Sequence, residues 1–466
     1  MSLSTPEEVV DSHHSKPIVL KQVDIVGGDE FSSTFFTNAL YPLLFSKDIT
    51  LGQLVNSSNQ SYNNLLYSNA FKKVKFQFEE SAGSSTPQNT TIEPPIEIIA
   101  KLLLEPYKLQ SFSLASVHTE AGHAFKLGYR NLNAFGNAES FKISSLIDLK
   151  FGNPYAKTIE LQYMAPIVSQ SLKLFFESVI SDSSASWASH KQSTANGVVG
   201  LTKTLSFDLF SSKFTSYFTT GVSMVKRSVL DINDSASDTV KTDAGDSFKE
   251  SFIFSGAVDS RTYLPSSFGG LAMNGLLLQV DNEISGLSSP QSEKYLKSVL
   301  NLQLLKSFRN FFTLDLSSSF GAVSNLTTGI TGVPHFHDKF FLGAHSLKGF
   351  AANSVGLRDG QDFVGGNIFY RLSASLFTRF FFAPADSPLR FYLSVNSGDV
   401  YNNFKDISYQ DLAFIKGSAI SSSVGAVYRV GDDAAFDLHY NLPVSSRPKD
   451  VAKPGLEFSL AINGTF

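Results

Sequence analysis

From about Ser111 to the C-terminus, apolar and polar residues alternate along the chain with a period of two. In the last twelve residues, 455–466, aliphatic and aromatic side chains share one face and polar side chains share the other. Period two is the repeat of a β-strand whose two sides meet different surroundings. Roughly sixteen such segments follow one another, an even number of the kind that single-chain barrels prefer. The pattern predicts an antiparallel all-β fold, either a barrel or a sandwich.

Composition favours the membrane barrel over a soluble β-sandwich. Charged residues make up 17% of the chain, hydrophobic residues make up 42%, and Phe alone occurs 42 times. Soluble domains carry about a quarter charged residues. No run of eighteen apolar residues occurs, so the sequence excludes a transmembrane helix. We therefore predict an all-β transmembrane barrel of about 16 antiparallel strands.

Several functional classes are excluded by what the sequence lacks. The net charge of −4 and the absence of a basic run argue against nucleic acid as a partner. With no cysteine, thiol catalysis and cysteine-ligated zinc are impossible. No hydrolase, nucleotide-binding or metalloprotease motif occurs, and His335 and His337 lack further ligands nearby in sequence. We expect no enzyme activity, no cofactor and no metal.

The N-terminal part of the chain has a different pattern. Residues 1–16 are polar and acidic and predict a disordered tail that is neither a secretory signal nor an Arg-rich transit peptide. Residues 17–106 read as strand, helix, helix, strand, strand, which predicts a small α+β domain. The helices are expected at 32–45 and 50–71, each opened by a capping Ser or Thr. Residues 107–466 are assigned to the barrel. The missing signal predicts the outer membrane of an organelle, although a mature chain whose signal has been removed would look the same.

One connection in the barrel, 324–363, is unusually long and apolar. Connections beyond about fifteen residues are usually functional or disordered, and this one is too rich in Phe and Leu for a solvated tether. We expect it to fold back into the barrel lumen, with an external loop packed over the rim as the alternative. A lysine at its tip, Lys348, then needs an acceptor, because an unpaired buried charge is unfavourable.

The segment "DKFFLGAHSLKGFAANSVGLRDGQDFVGGNIFYRLSASLFTRF" (338–380) resembles the signature region of the outer-membrane barrel-assembly superfamily. In that superfamily a (V/I)-R-G-F loop motif precedes a V-G-G-N/D element that opens the next strand. The N-terminal domain is similar to a single POTRA domain, and "NLNAFGNAESF" (131–141) resembles the turn between the second and third barrel strands. One POTRA domain without a signal peptide is typical of the mitochondrial branch, the barrel core of the sorting and assembly machinery.

The resemblance assigns site residues one by one. The loop motif falls on Leu347, Lys348, Gly349 and Phe350, with Lys348 in place of the usual Arg. Gly365 and Gly366 belong to the V-G-G-N element and are candidates for anchoring the loop. The acidic partner of the family's Arg corresponds to Asn396, whose single amide acceptor predicts a weaker anchor, or the use of another acid.

The resemblance also implies a function. Members insert β-barrel precursors into a membrane through a lateral gate between the first and last strands. The gate strand would contain seven consecutive residues, Ser111, Phe112, Ser113, Leu114, Ala115, Ser116 and Val117. Substrates carry a C-terminal signal of the form polar-x-Gly-x-x-hydrophobic-x-hydrophobic, and the last strand here has the same pattern at Lys453, Gly455, Phe458 and Leu460.

The implied partners are β-barrel precursors bearing that signal strand, peripheral cytosolic subunits of the assembly complex, and the lipid bilayer. The implied location is the mitochondrial outer membrane, with the N-terminal domain in the intermembrane space. A passive outer-membrane channel, a two-partner-secretion type of transporter and a soluble binding protein remain alternatives. An N-terminal POTRA-like domain and a lumen-folded loop are not expected of a passive channel.

Overall fold

A computed structural model gives the fold of the chain. It describes residues 13–45, 49–81, 95–119, 122–148, 157–185, 187–209, 212–264, 271–286, 294–326, 334–344, 346–407, 418–430 and 434–465. Within these ranges, no helix is both long and apolar enough to cross a membrane. The described residues form an N-terminal α+β module and a closed antiparallel barrel.

The N-terminal module combines a small mixed sheet with helices. Its strands are β1 (Pro17–Val26), β2 (Ile49–Thr50), β3 (Phe71–Glu80) and β4 (Ile96–Pro106), and its helices are α1 (Ser33–Ala39), α2 (Tyr41–Leu44) and α3 (Leu51–Tyr67). The sheet order is β2-β1-β4-β3, and β1 runs parallel to β4. The order strand, helical region, helix, strand, strand is found, but the single helix predicted over 32–45 is divided at Leu40 into α1 and α2.

Local sequence signals explain where the module helices begin and end. Ser32 Oγ accepts from Phe35 N at 3.1 Å, which caps α1. Thr50 and Gln53 form a capping box at the start of α3. Asn69 takes a left-handed conformation with φ 57 and ends α3 at Tyr67. The helix predicted over 50–71 is therefore shorter than expected, and β3 begins inside the predicted range.

Buried side chains join the module's helices to its sheet. The rings of Phe31, Phe35 and Phe71 lie 4.8 to 5.9 Å apart. Leu65 on α3 and Leu102 on β4 are completely buried beside them. This aromatic cluster is a core of the module's own, built without barrel strands.

Sixteen long strands within the described ranges close the barrel. They are β5 (Gln110–Thr119), β6 (Gly122–Asn131), β7 (Ser140–Asp148), β8 (Lys157–Ser169), β9 (Leu172–Ala185), β10 (His190–Leu209), β11 (Ser212–Leu230), β12 (Gly245–Asp259), β14 (Ala272–Ser285), β15 (Tyr295–Phe308), β16 (Phe312–Asn325), β19 (Ile368–Thr378), β20 (Leu389–Tyr401), β21 (Ala419–Val430), β22 (Ala434–Ser445) and β23 (Gly455–Thr465). The short elements are α4 (Asp238–Thr242), β13 (Thr262–Tyr263), β17 (Arg358–Asp359) and β18 (Asp362–Phe363). Neighbouring long strands pair antiparallel, and β23 pairs with β5 to close the ring.

Sequence alternation corresponds to the two sides of the barrel wall. On β23, Leu456 and Phe458 remain 68% and 47% exposed on the outside. Between them, Glu457 points inward and accepts a hydrogen bond from Asn441 Nδ2 at 2.9 Å. Apolar residues therefore cover the exterior and polar residues fill the interior, the reverse of a soluble barrel. The predicted all-β barrel of about sixteen strands with a small N-terminal domain is confirmed.

The two rims of the barrel differ. One rim, the module rim, carries the turns between β6 and β7, between β15 and β16, and between β19 and β20. The N-terminal module contacts this rim, where Ser32 N donates to Gly136 O at 2.8 Å and Asn133 Nδ2 donates to Glu30 O at 2.6 Å. The opposite rim, the loop rim, carries the long connection from β16 to β19, which is the lumen loop (326–367).

Candidate functional site

The lumen loop is packed among barrel strands. Its core side chains, Phe336, Leu342, Leu347, Phe350 and Val355, are at most 3% exposed. Polar groups of the loop contact inward-facing side chains of β11, β12, β20 and β22. The described part of the loop therefore folds into the barrel lumen, as expected, and does not pack over the outside of the rim.

The four motif residues lie against the inner wall formed by β20, β21 and β22. Leu347 and Phe350 are 0% and 1% exposed and pack with Val400 of β20. Gly349 has φ +84, and a Cβ there would lie 3.1 Å from Ser421 Cβ. Only glycine combines this conformation with so close an approach to the wall. The motif is therefore shaped for contact with these strands.

Lys348 meets an aromatic and acidic pair. Its Nζ donates to Tyr392 OH at 3.1 Å, lies 5.1 Å from the centre of that ring, and is 4.0 Å from Asp437 Oδ2. Tyr392 OH in turn donates to Asp437 Oδ1 at 3.0 Å. Burial lowers the pKa of Lys348 below its ordinary value, and the charges of Asp437 and Glu457 oppose that effect. The acceptor of this half-buried lysine is thus a tyrosine hydroxyl that is itself bonded to a carboxylate.

Asn396, the expected partner of Lys348, has a different contact. Its Oδ1 accepts from Ser373 Oγ at 2.8 Å, and its amide nitrogen has no hydrogen-bond partner. The expected Lys348–Asn396 contact is therefore wrong. Lys348 uses another acid, Asp437, together with Tyr392, because a carboxylate is an acceptor that an amide cannot match. Tyr392 lies an even number of residues from Asn396 on β20 and therefore also faces inward, so the sequence alternation already allowed it as a partner of Lys348.

A row of polar side chains continues from Lys348 to the last strand. His439 Nδ1 lies 3.1 Å from Asp437 Oδ1, and His439 Nε2 lies 3.5 Å from Glu457 Oε2. Asp437 and His439 belong to β22, whereas Glu457 belongs to β23. The loop motif is therefore connected electrostatically to the strand that closes the ring.

A second anchor, which sequence reasoning missed, holds the start of the loop. Asp338 is 3% exposed and accepts from Arg227 Nη1 at 2.5 Å and Lys249 Nζ at 2.8 Å. Lys297 Nζ donates to the carbonyl oxygen of Asp338 at 2.9 Å. Burial opposes the charge on Asp338, but Lys249 and Arg227 outweigh it and hold its pKa well below the usual range. The sequence did contain a signal for this anchor. Asp338 is an acid in an apolar loop, and Arg227 and Lys249 occupy positions that the strand alternation places on the inner side of the barrel wall.

The two glycines of the V-G-G-N element allow close backbone contact. Phe340 N donates to Gly366 O at 2.8 Å, and Gly366 N donates to Phe340 O at 3.0 Å. Gly365 has φ +65, and a Cβ on Gly366 would come within 2.6 Å of Tyr401 O. Both positions thus need glycine where the end of the loop crosses its beginning.

The loop also pairs with the chain that enters the last strand. Lys453 N donates to Gly349 O at 2.8 Å, and Ala351 N donates to Val451 O at 2.9 Å. Phe350 and Ala452 form the antiparallel bridge between these bonds. We call this contact the loop ladder (349–351 with 451–453). It connects the motif by backbone to the residues just before Gly455, where β23 starts.

The seam between β5 and β23 has the shortest pairing among the long barrel strands within the described ranges. It comprises six register pairs, from Ser111 with Thr465 to Ser116 with Leu460. Every other seam between long strands pairs at least eight. Residues 455–459 of β23 pair with β22 but have no partner on β5. The seam is therefore open on the loop-rim side.

The side chains of the predicted gate and signal residues alternate between the outer and inner faces of β5 and β23. Phe112 and Leu114 point outward and are 53% and 45% exposed, and the side chain of Val117 lies outside the described residues. Ser111, Ser113, Ala115 and Ser116 occupy the other paired positions of β5. On β23, Phe458 and Leu460 face outward, Gly455 has φ +150, and Lys453 contributes its backbone to the loop ladder.

Two cavities flank Lys348 inside the barrel. One, of about 380 Å³, is lined by Arg261, Arg390 and Tyr392. The other, of about 360 Å³, lies behind the seam and is lined by Ala115, Glu457 and Ala461, among others. The motif lysine thus lines both cavities, one of which borders the two closing strands.

Comparison with known proteins identifies relatives over the whole chain. The family model described as "Omp85 superfamily domain" matches residues 133–463. A SAM50-like protein of Schizosaccharomyces pombe is 24% identical over 98% of this chain and 93% of its own length. The sorting assembly machinery 50 kDa subunit of Saccharomyces cerevisiae is 27% identical over 48% of this chain and 45% of its own length.

The human sorting and assembly machinery component 50 homolog is 28% identical over 50% of this chain and 49% of its own length. Among solved structures, BamA from Haemophilus ducreyi lacking POTRA domains 1–3 covers 96% of this chain and 84% of that chain, with a TM-score of 0.65 and 15% identity. CdiB from Acinetobacter baumannii has a TM-score of 0.61 at 14% identity, covering 96% of this chain and 74% of its own. These structures share the fold of this chain.

Proposed function

This chain belongs to the Omp85 superfamily, and we propose that it inserts β-barrel precursors into the mitochondrial outer membrane through a gate between β5 and β23. The full-length likeness to a SAM50-like protein, whose name places it with the sorting and assembly machinery, supports this role. The observation that carries the gate is the seam of six register pairs between β5 and β23.

The physics of membrane insertion explains why a short seam matters. A strand cannot enter hydrocarbon with unpaired backbone groups, because each unpaired group costs several kcal/mol. A barrel wall that parts within the membrane offers a paired edge instead, and a precursor adds strand by strand through β-augmentation. Six pairs require fewer broken hydrogen bonds than any neighbouring seam of eight or more. The ring should therefore part between β5 and β23.

The lumen loop has a role in this proposal as the support of β23. The loop ladder and the row Lys348, Asp437, His439 and Glu457 connect the loop to the last strand. With β23 held from inside, the opposite edge, β5, is the strand that an incoming precursor contacts first. The signal-like pattern at Lys453, Gly455, Phe458 and Leu460 makes β23 resemble the strand that a precursor presents. A precursor's signal strand would then replace β23 as the partner of β5.

Orientation and partners follow from the same scheme. The N-terminal module faces the intermembrane space, and the loop rim, with peripheral cytosolic subunits bound to it, faces the cytosol. The module contacts the turn at Asn133 and Gly136, next to the end of the seam at Ser111 and Thr465. Precursors arriving from the intermembrane space would therefore meet the module beside the gate.

A pair of matched disulfides tests the gate. The described residues contain no cysteine, and Ala461 lies opposite Ala115 across the seam and opposite Ala435 on β22. Directly paired residues are close enough for a disulfide, which needs Cα atoms within about 7 Å. Cysteines at 115 and 461 lock the seam, whereas cysteines at 435 and 461 tie the same residue to β22 and leave the seam free.

We expect the oxidised 115–461 protein to lose precursor insertion in reconstituted vesicles and to regain it on reduction. The oxidised 435–461 protein should insert precursors at the wild-type rate. Insertion by the locked 115–461 barrel at an undiminished rate would exclude the gate. Loss of insertion in both oxidised proteins would point to rigidity of β23 rather than to the seam.

A further inference from the structure

Two neighbouring turns of the module rim carry an exposed cluster of phenylalanines. The turn between β19 and β20 holds Phe381 and Phe382, which are 88% and 86% exposed. The turn between β15 and β16 lies beside it, because Phe312 pairs with Thr378 across β16 and β19. We call the cluster the aromatic platform, and its members are Phe308, Phe311, Phe312, Phe380, Phe381 and Phe382.

The platform is preformed rather than a loose turn. Phe380 lies 5.4 Å from Phe382 and 4.5 Å from Phe391, and Phe311 lies 6.4 Å from Phe381. Arg390, which is 2% exposed, supports the turn from behind by donating to Ser387 O at 2.7 Å and to Ala385 O at 3.1 Å. A supported aromatic surface loses little conformational entropy when it is covered.

The platform continues the apolar exterior of the barrel. Leu376 of β19 and Leu393 of β20 face outward and are 43% and 53% exposed. Phe312 and Phe308 lie on the same outward faces of β16 and β15, at 43% and 54% exposure. The cluster therefore begins where the lipid-facing band ends and extends it past the last register pair of β19 and β20, Thr378 with Phe391.

Charged residues around the platform are mostly cations. Lys306 shares the outward parity of Phe308, Arg309 lies in the same turn, and Arg379 lies 5.1 Å from the ring centre of Phe311. Asp386 is the acidic residue of the turn between β19 and β20. A surface with apolar rings and a positive border fits the interface of a bilayer that contains anionic phospholipids.

We propose that the aromatic platform inserts into the membrane leaflet on the module side of the barrel. Phe381 and Phe382 enter the boundary between headgroups and acyl chains, and Lys306 and Arg309 contact anionic phospholipid headgroups. Interfacial belts usually use Tyr and Trp, whose polar atoms stay at headgroup level. Rings without polar atoms favour deeper insertion, so the platform fixes the depth of this side of the barrel.

Single cysteines carrying a nitroxide label test the depth of the platform in the full-length protein. The sequence contains no cysteine, so each label reports one position. Phe381→Cys probes the platform and Leu393→Cys marks the lipid-facing wall. Lys72→Cys on β3, whose side chain is 66% exposed, marks the aqueous phase. Collision with oxygen and with a water-soluble nickel complex is compared in vesicles of phosphatidylcholine with and without phosphatidylglycerol.

We expect the ratio of oxygen to nickel accessibility at 381 to approach that at 393 and to exceed that at 72 several-fold. Phosphatidylglycerol should raise the ratio at 381 further, and Arg309→Gln combined with Lys306→Gln should remove that increase. A label at 381 as accessible to nickel as the label at 72 would overturn the proposal and leave a protein partner as the occupant. An accessibility ratio at 381 that does not change when phosphatidylglycerol is added would overturn the proposed contact of Lys306 and Arg309 with anionic headgroups.

Discussion

Lys348 and Asp338 anchor the tip and the start of the lumen loop with charges of opposite sign. Lys348 lies at the loop tip and has one hydrogen bond, to Tyr392, with Asp437 at 4.0 Å. Asp338 is almost completely buried and is paired with two cations. Removing the charge of Asp338 would leave two buried cations without a partner, which is strongly destabilising. Losing the longer contact between Lys348 and Asp437 should destabilise the loop less. Asp338 should therefore contribute more to loop docking than the motif lysine.

Substitution of Lys348 should loosen the tip of the loop. Lys348→Ala removes the donor to Tyr392 OH and the cation beside Asp437, and we expect docking to weaken by about 1–3 kcal/mol. Lys348→Glu should weaken it more, because it faces Asp437 and Glu457, and Lys348→Arg should stay close to wild type. Hydrogen exchange of residues 346–356 measures the effect. Lys405→Ala, at an exposed lysine of another connection, is the control, and equal exchange in the Ala variant and the control would remove Lys348 from docking.

Asp338→Asn should release the start of the loop. The amide keeps the shape of the side chain but leaves Arg227 and Lys249 without their counter-charge, a loss of about 3–5 kcal/mol for a buried pair. The single tryptophan of the chain, Trp187, reports the release, because its ring lies 4.7 Å from that of Phe341 in the loop. We expect its emission to shift to the red at lower urea than in wild type.

The control for this variant is Asp234→Asn, at an exposed acid of the loop rim. Coincident urea midpoints for Asp338→Asn and Asp234→Asn would contradict the second anchor.

Docking of the loop should weaken on acidification. Burial, with His335, Arg227 and His190 nearby, lowers the pKa of His337 to about 3 from an ordinary value of about 6.5. The undocked loop therefore takes up a proton first, and the contribution of neutral His337 is complete above about pH 6.5 and lost as the pH falls towards 3. Trp187 emission should shift to the red over this window.

His337→Gln should reduce the size of that shift rather than abolish it, because His335, whose pKa burial also lowers, remains in the loop. An unchanged titration in His337→Gln would assign the acid response to another group.

At the scale of elements, the important unit is β23 together with the segment that precedes it. Residues 450–453 contact the loop on one side and lead directly into Gly455 on the other. Asp450 organises this segment, accepting from Gly356 N at 3.2 Å and from Arg447 N at 2.9 Å, with its side chain fully buried. Loop and last strand should therefore loosen together.

Asp450→Ala tests this coupling. We expect faster hydrogen exchange both in 349–356 and in 455–465, because the substitution removes a shared acceptor and leaves buried N–H groups unpaired. Asp406→Ala, at an exposed acid in the 402–407 connection, should change neither segment. Faster exchange confined to residues near 450 would show that the loop and β23 move independently.

At the scale of the molecule, the barrel and the N-terminal module meet through few contacts. Besides the turn at Gly136, they touch where Ser206 N donates to Tyr67 OH at 3.0 Å. From the barrel side, Ala138 belongs to the module's aromatic core and Leu109 packs against it. Two units joined in this way should unfold separately.

Removal of residues 1–106 tests their independence. We expect 107–466 to form a barrel that still migrates faster on gels before heating than after, since the ring closes through β5 and β23 without the module. Circular dichroism of 1–106 alone should show a cooperative thermal transition. A remaining chain that never becomes heat-modifiable would contradict the predicted boundary at 106.

Sequence alone determined the barrel, its approximate strand number and the small α+β domain, because these follow from local periodicity that each segment carries. Alternation fixed which face of β22 and β23 is polar, and capping residues fixed the starts of α1 and α3. The motif Leu347–Phe350 was also readable, since its four residues are consecutive. Such features need only neighbours in the chain.

Only the tertiary structure decided what the loop contacts. Asn396 has the right parity for Lys348, but the rotation and depth of the loop place Tyr392 and Asp437 within reach instead. Asp338 meets Arg227 and Lys249, which are 111 and 89 residues away in the chain. Parity tells which side of the wall a residue faces, but not its height or its position around the ring. Those depend on the register and stagger of all the strands, which no single segment contains.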